Sequence, residues 1–187
     1  MRLLILRNHV LARQNNIFMN QRIHQFLSND HRRIEDLLER ATVEPGNYKI
    51  DLYQQFRIGL LTHIKMEEKV LFPAAQKANG GVQLEAFAQL RLEHGAITTL
   101  MVPPPTPALV KVLRYILDKH DLLEEKPGGM YDVCERLTEA QTDDLLLQMK
   151  NIGEVPVHPH NEAAYVLETA IRSVQRAGYD YDQIAKN

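Results

Sequence analysis

A chain of 187 residues, 44% apolar and 25% charged, is long enough for one domain with a sizeable core and a terminal extension, and short for two full domains. Its 22 Lys and Arg against 24 Asp and Glu leave a net charge of −2, which gives no general electrostatic case for nucleic acid or an anionic membrane as a partner. No apolar run reaches the roughly 18 residues that span a bilayer, and the single Cys134 excludes an intrachain disulfide and fits a reducing, cytoplasmic setting.

In chain order, residues 1–18 are expected to form an N-terminal arm before a domain that begins at Met19. Residues 1–29 hold Arg2, Arg7, Arg13 and Arg22 and no acid, as an Arg-rich leader would. The apolar run LLIL is nevertheless shorter than the roughly 7 residues of a secretory core, and no small-residue cleavage site follows it, so no leader is expected.

Four stretches then repeat apolar residues at steps of three and four, the spacing of an amphipathic helix. The first carries Ile23, Leu27, His31, Ile34 and Leu38 and is stopped by Pro45 and Gly46. The second runs through Leu52, Phe56, Leu60, His63, Glu67, Val70 and Ala74 to NGG at 79–81. The third has Leu84, Phe87, Leu90, His94, Ile97 and Met101 and breaks at PPPTP, 103–107; the fourth has Leu109, Leu113, Ile116, His120 and Glu124 and breaks at PGG, 127–129. The short interval from His94 to His120 clips the junction of the last two. Short connections predict an all-α fold, an up-down-up-down antiparallel four-helix bundle over 19–140.

After PGG, MYDVCERLTEA is expected to resume the fourth helix. The C-terminal extension, 141–187, holds TDDLLLQMKNI capped by Thr142, an irregular GEVPVHPH, and NEAAYVLETAIRSVQRA between an N-cap Asn161 and a terminating Gly178. It is placed to cover either the bundle or a second copy of the chain.

Each of the four helices carries one histidine in its apolar stripe. His63 and Glu67 are four residues apart, as are His120 and Glu124, so each pair shares a helix face. HIKMEEK and HDLLEEK echo each other, as if the bundle were two related hairpins. Four imidazoles and two carboxylates in one core are the inventory of a dinuclear metal site. Without a thiolate the set suits Fe or Mn, with Zn open. Two divalent cations in a low-dielectric core need anionic bridges. Glu67 and Glu124 are the expected bridges, with His31, His63, His94 and His120 as terminal ligands, leaving positions for solvent, an oxo or hydroxo bridge, or a small ligand.

With NDHRRI around His31, HIKMEEKVLFP around His63, LEHGAI around His94 and KHDLLEE around His120, residues 19–140 resemble the hemerythrin-like, or HHE cation-binding, family. The resemblance implies a non-haem di-iron centre that binds dioxygen, nitric oxide or peroxide, or one that serves sensing, iron handling or repair. The fifth histidine of the oxygen carriers is replaced by Thr98. Four histidines and two glutamates are closer to the branch that repairs iron-sulfur centres, whose cysteine-bearing N-terminal domain has no counterpart in this sequence. A di-iron enzyme with peroxidase-like or repair activity is the alternative to a binding or sensing protein, and a metal-free module that docks a partner through the C-terminal helices is the third reading.

Glu68 and Glu125 lie about 100° around the helix from the bridging pair and are expected to face water beside their lysines. Asp30 and Glu93 are given the same reading. HPH at 158–160 is read as a loop rather than a second metal site, His9 and His24 as residues without partners, and Cys134 as an unactivated thiol. Ile64, Val70, Leu71 and Phe72 are the expected dry wall.

Overall fold

The computed structural model describes residues 21–186; the expected arm over 1–18, with His9, lies outside the described residues. Their regular structure is entirely helical. In order come α1 (Arg22–Ala41), α2 (Ile50–Met66), a π-helical stretch (Glu67–Leu71) leading straight into α3 (Phe72–Ala78), and α4 (Phe87–Leu100). Then follow α5 (Pro107–Glu125), α6 (Met130–Leu137), a 3₁₀ turn (Glu139–Gln141), α7 (Thr142–Lys150), α8 (Ala164–Arg176) and α9 (Tyr181–Lys186). None of these helices is long and apolar enough to cross a membrane.

Two apolar clusters share the interior. One gathers Ile34, Leu38, Phe56, Leu60, Ile97, Leu113 and Ile116, closed by Ala170 and Val174 of α8 and Tyr181 of α9. The other gathers Ile23, Leu27, Leu71, Phe72, Phe87 and Leu90 with Tyr131, Cys134, Leu145 and Met149. Along α1 the second cluster comes before His31 and the first after it; α2 reverses that order around His63, and α4 restores it around His94. The histidines therefore lie at the seam between two dry bodies. The C-terminal helices cover this same chain, α8 against α4 and α9 against α5.

Three local features place the site. The predicted second helix is interrupted, because Pro73 has no N–H for the Lys69 carbonyl and its ring would collide with that oxygen in a regular helix. A π-turn relieves the clash, with the Phe72 N–H bonded to the Glu67 carbonyl five residues back, and it falls on Glu67 and Glu68 themselves. At the start of α1 no local side chain caps the helix. Glu135 of α6 does so from afar, accepting from the Ile23 and His24 N–H groups at 3.0 and 3.2 Å.

The third feature corrects the reading of MYDVCERLTEA. It does not resume α5. The chain leaves the helix at Lys126, passes through Gly128 at φ 74°, and restarts as α6, which packs on α1 and α3. Gly129 is needed for its size, since a Cβ there would lie 2.7 Å from the Glu124 and Lys126 carbonyl oxygens. Two cap expectations also change. Thr142 is the first residue of α7 and donates to the Glu139 carbonyl at 3.0 Å instead of capping. Asn161 accepts from Ala163 N at 3.0 Å, but α8 starts only at Ala164. Gly178, at φ 91°, ends that helix as expected.

Candidate metal centre

α1, α2, α4 and α5 each turn one imidazole into the seam, and the i, i+4 spacing brings Glu67 and Glu124 beside them. His31, His63, His94 and His120 are at most 4% exposed, and Glu67 and Glu124 are fully buried. Their inward atoms form two groups, each tight enough for one cation: His31, His63, Glu67 and Glu124, and Glu67, His94, His120 and Glu124. Both glutamates belong to both groups.

The oxygens divide accordingly. Glu67 Oε1 lies 3.4 Å from His63 Nε2 while Glu67 Oε2 lies 3.2 Å from His94 Nε2. Glu124 Oε2 lies 3.5 Å from His31 Nε2 while Glu124 Oε1 lies 3.3 Å from His120 Nε2. Each carboxylate thus presents one oxygen to each group. Buried Glu67 Oε2, His94 Nε2 and Glu124 Oε1 have no hydrogen-bond partner in the protein. Such orphans are costly unless something else binds them. The donor set fits a metal.

The outer nitrogens overturn the expectation that four acids face water. His63 Nδ1 pairs with Asp30 at 3.0 Å, His94 Nδ1 with Glu68 at 3.0 Å, His120 Nδ1 with Glu93 at 3.0 Å, and His31 Nδ1 with Glu125 at 2.6 Å. Every pair joins two helices, so acids from α1, the π-turn, α4 and α5 hold the imidazoles of α2, α4, α5 and α1. With Nδ1 donating outward, each imidazole turns its Nε2 toward the centre, where it can offer a lone pair to a metal once any proton there is released. The acids are braced in turn: Asp30 by Arg33 at 2.8 Å, Glu68 by Arg91 at 3.1 Å, and Glu125 by Arg32.

Glu93 is the most enclosed of the four, 0% exposed, and it also accepts from Gln89 at 2.8 Å and from Tyr179 of the C-terminal extension at 2.6 Å. Replacing Glu93 by Gln removes the charge that orients His120. Metal affinity is expected to fall on the order of 10–100-fold with helix content unchanged. A chelator-competition titration checks this, and an affinity equal to wild type would rule out the role.

Electrostatics among the protein groups follows from burial against neighbouring charge. Burial works to lower His63, but Glu67 and Asp30 overcome it and hold this imidazole up at about 10. His94 is likewise raised, to about 8, by Glu67 and Glu68 against burial. His31 is lowered to about 4 by burial and by the charge of His63. Burial also lowers His120, against Glu93. Glu124 is pushed well above the carboxylate range by burial and by Glu67, while Glu67 is held well below it by His63 and His94 despite burial. Two carboxylates this close cannot both stay ionised without a positive partner. A cation is one such partner, and its binding would displace protons.

One central group has no counterpart in the expectations from sequence. The hydroxyl of Tyr131, 0% exposed, lies 2.5 Å from Glu67 Oε1, 2.8 Å from Glu124 Oε2, 3.1 Å from His31 Nε2 and 3.2 Å from His63 Nε2. Other residues behave more quietly. His24 is not partnerless, since it meets Asp132 at 2.7 Å. His158 and His160 join no metal-sized group among the described residues. His158 instead offers its carbonyl to Arg57 at 3.0 Å. Cys134 is buried, and burial together with Glu67 and Glu124 pushes its thiol up, away from a reactive thiolate. Of the dry wall, Leu71 and Phe72 are fully buried and Ile64 nearly so, whereas Val70 is partly exposed.

Against known families, residues 22–102 match the model of the hemerythrin HHE cation binding domain. No curated protein and no solved structure matches the chain. The matched segment contains His31, His63, Glu67 and His94; His120 and Glu124 lie beyond it and enter through the geometry above. Such a domain implies metal binding, and the buried His and Glu groups are able to hold a metal.

Proposed function

We propose, on the premise that residues 22–102 carry a hemerythrin HHE cation-binding domain, that this protein holds a carboxylate-bridged pair of iron ions and binds or senses a small ligand there. The observation that carries this reading is the division of oxygens: Glu67 and Glu124 each offer one oxygen to each of two histidine pairs. His31 and His63 would hold one ion and His94 and His120 the other, with both glutamates bridging. Imidazole and carboxylate donors suit iron, and they also suit Mn or Zn. The opposite order of the two apolar clusters along successive helices supports an up-down-up-down arrangement of α1, α2, α4 and α5.

Bound iron would supply open coordination positions for dioxygen, nitric oxide or peroxide. The size of that ligand is limited by the chain. A cavity of about 20 Å³ adjoins the site, lined by His31, His63 and His120, by the aliphatic Ile34, Leu60, Ile64 and Leu117, and by Glu35 and Asp121. This is room for one water-sized molecule and not for an organic substrate. The two apolar clusters on either side of the histidines keep bulk water from the imidazoles.

Protein purified after iron supplementation is expected to contain about two irons per chain by elemental analysis, with a ferric visible spectrum that changes on adding nitric oxide or peroxide. Protein that remains iron-free after supplementation and reconstitution would sink the reading. Sustained turnover of peroxide by the same sample would move it from binder to enzyme.

A further inference from the structure

We propose that Tyr131 is itself a metal ligand, its phenolate oxygen completing the cation site formed by His31, His63, Glu67 and Glu124. This rests on the metal-binding reading above and goes beyond it, because it adds a seventh protein ligand and makes the two halves of the centre unequal.

The four atoms around the Tyr131 hydroxyl are the inward atoms of one group: His31 Nε2, His63 Nε2, Glu67 Oε1 and Glu124 Oε2, all between 2.5 and 3.2 Å away. A phenol has one proton to donate and can satisfy one acceptor at a time. Four polar partners, two of them carboxylate oxygens, exceed what a structural hydroxyl uses. Oxygen donors converging with two imidazole nitrogens on a common point is instead how a cation is surrounded.

The other half has no such group. Its inward atoms Glu67 Oε2, His94 Nε2 and Glu124 Oε1 are among the buried polar atoms without a hydrogen-bond partner in the protein. The internal echo between HIKMEEK and HDLLEEK would have produced two equivalent halves. Tyr131 breaks that symmetry from outside the four helices, adding an oxygen donor to the His31 and His63 half and none to the His94 and His120 half.

Its placement is built and not incidental. Gly129 lets the chain pass where any Cβ would lie 2.7 Å from the Glu124 carbonyl oxygen. Asp132, the next residue after Tyr131, is fixed by His24 at 2.7 Å and by the Gly128 N–H at 2.8 Å, and Glu135 ties the same helix to the start of α1 at 3.0 Å. On loading, the phenol O–H bond breaks, its proton leaves to solvent, and an oxygen–metal bond forms. Nothing is oxidised or reduced in that step.

The test uses the full chain, wild type and Tyr131→Phe, each reconstituted with iron, oxidised in air and assayed for iron content. Wild type should show a phenolate-to-ferric charge-transfer band in the visible, with tyrosine ring modes in the resonance Raman spectrum excited within it. Both signals should be lost in Tyr131→Phe. Iron-loaded wild type without the ring modes overturns the proposal and leaves the metal centre standing, as does a Tyr131→Phe spectrum identical to wild type. Wild type that takes up no iron overturns the metal centre and this ligand together. The Raman arm on wild type alone decides the matter if the variant does not fold.

Discussion

Replacing Glu67 and Glu124 together by glutamine is expected to take bound metal from about two ions per chain to none, while the far-ultraviolet circular dichroism stays that of a folded helical protein. Two divalent cations about 3.5 Å apart repel by on the order of 20 kcal/mol even at an effective dielectric of 20. The six inward side chains carry only these two anions against that repulsion. A neutral amide can keep the shape and cannot supply the charge. Without metal, Glu124 already sits well above the carboxylate range, through burial and the nearby charge of Glu67, which favours its neutral form. Glutamine there resembles that neutral form in shape and charge, so the loss at this position falls on metal binding more than on folding. Elemental analysis after iron reconstitution decides the outcome. Two metals retained by the double variant would show that these carboxylates are not the bridges.

Phe72→Ala is expected to destabilise the metal-free protein by about 3–5 kcal/mol, the range for deleting a fully buried ring from a core that cannot collapse around the gap. Phe72 is 0% exposed, packs on Phe87 with ring centroids 5.0 Å apart, and lies parallel to the His94 ring at 6.3 Å. Just after the π-turn, it fixes where that turn ends and walls one of the histidines. Urea unfolding of wild type and variant at one pH measures the loss. A difference below about 1 kcal/mol would mean that this side of the seam is loosely packed.

How far the centre could be read from sequence depended on whether the information was local. His63 with Glu67 and His120 with Glu124 are legible because an i, i+4 step is a property of one helix. The structure brings them together with His31 and His94. The four outer acids were misread for a specific reason. Glu68 does lie about 100° around the helix from Glu67, but in a bundle that direction leads to the neighbouring helix, where the Nδ1 of His94 is 3.0 Å away. Asp30 and Glu93 likewise stand next to one histidine in sequence and serve another in space. An acid directly before His31 and before His94, and another directly after each bridging glutamate, was the available signal.

Tyr131 was beyond reach because its approach depends on a chain reversal. Whether the segment after PGG extends α5 or folds over the bundle is decided by contacts of α6 with α1 and α3, which no periodicity records. The π-turn was half legible. Pro73 is in plain view in the sequence, but whether a helix meets an internal proline by kinking, stopping or widening is set by its tertiary surroundings. Tyr179, which reaches Glu93 from the far end of the chain at 2.6 Å, carried no signal at all.

The four imidazole–carboxylate pairs have a mechanical consequence. Each helix supplies a ring that its neighbour steadies and steadies the ring of another neighbour, so the pairs close a circuit around the bundle. A helix that turned about its own axis would break two of these links at once and leave charge exposed to a dry interior. The circuit therefore acts as a torsional lock. The amides of all four helices near the seam should open to hydrogen exchange as one unit, and the donor atoms stand arranged before any ion arrives.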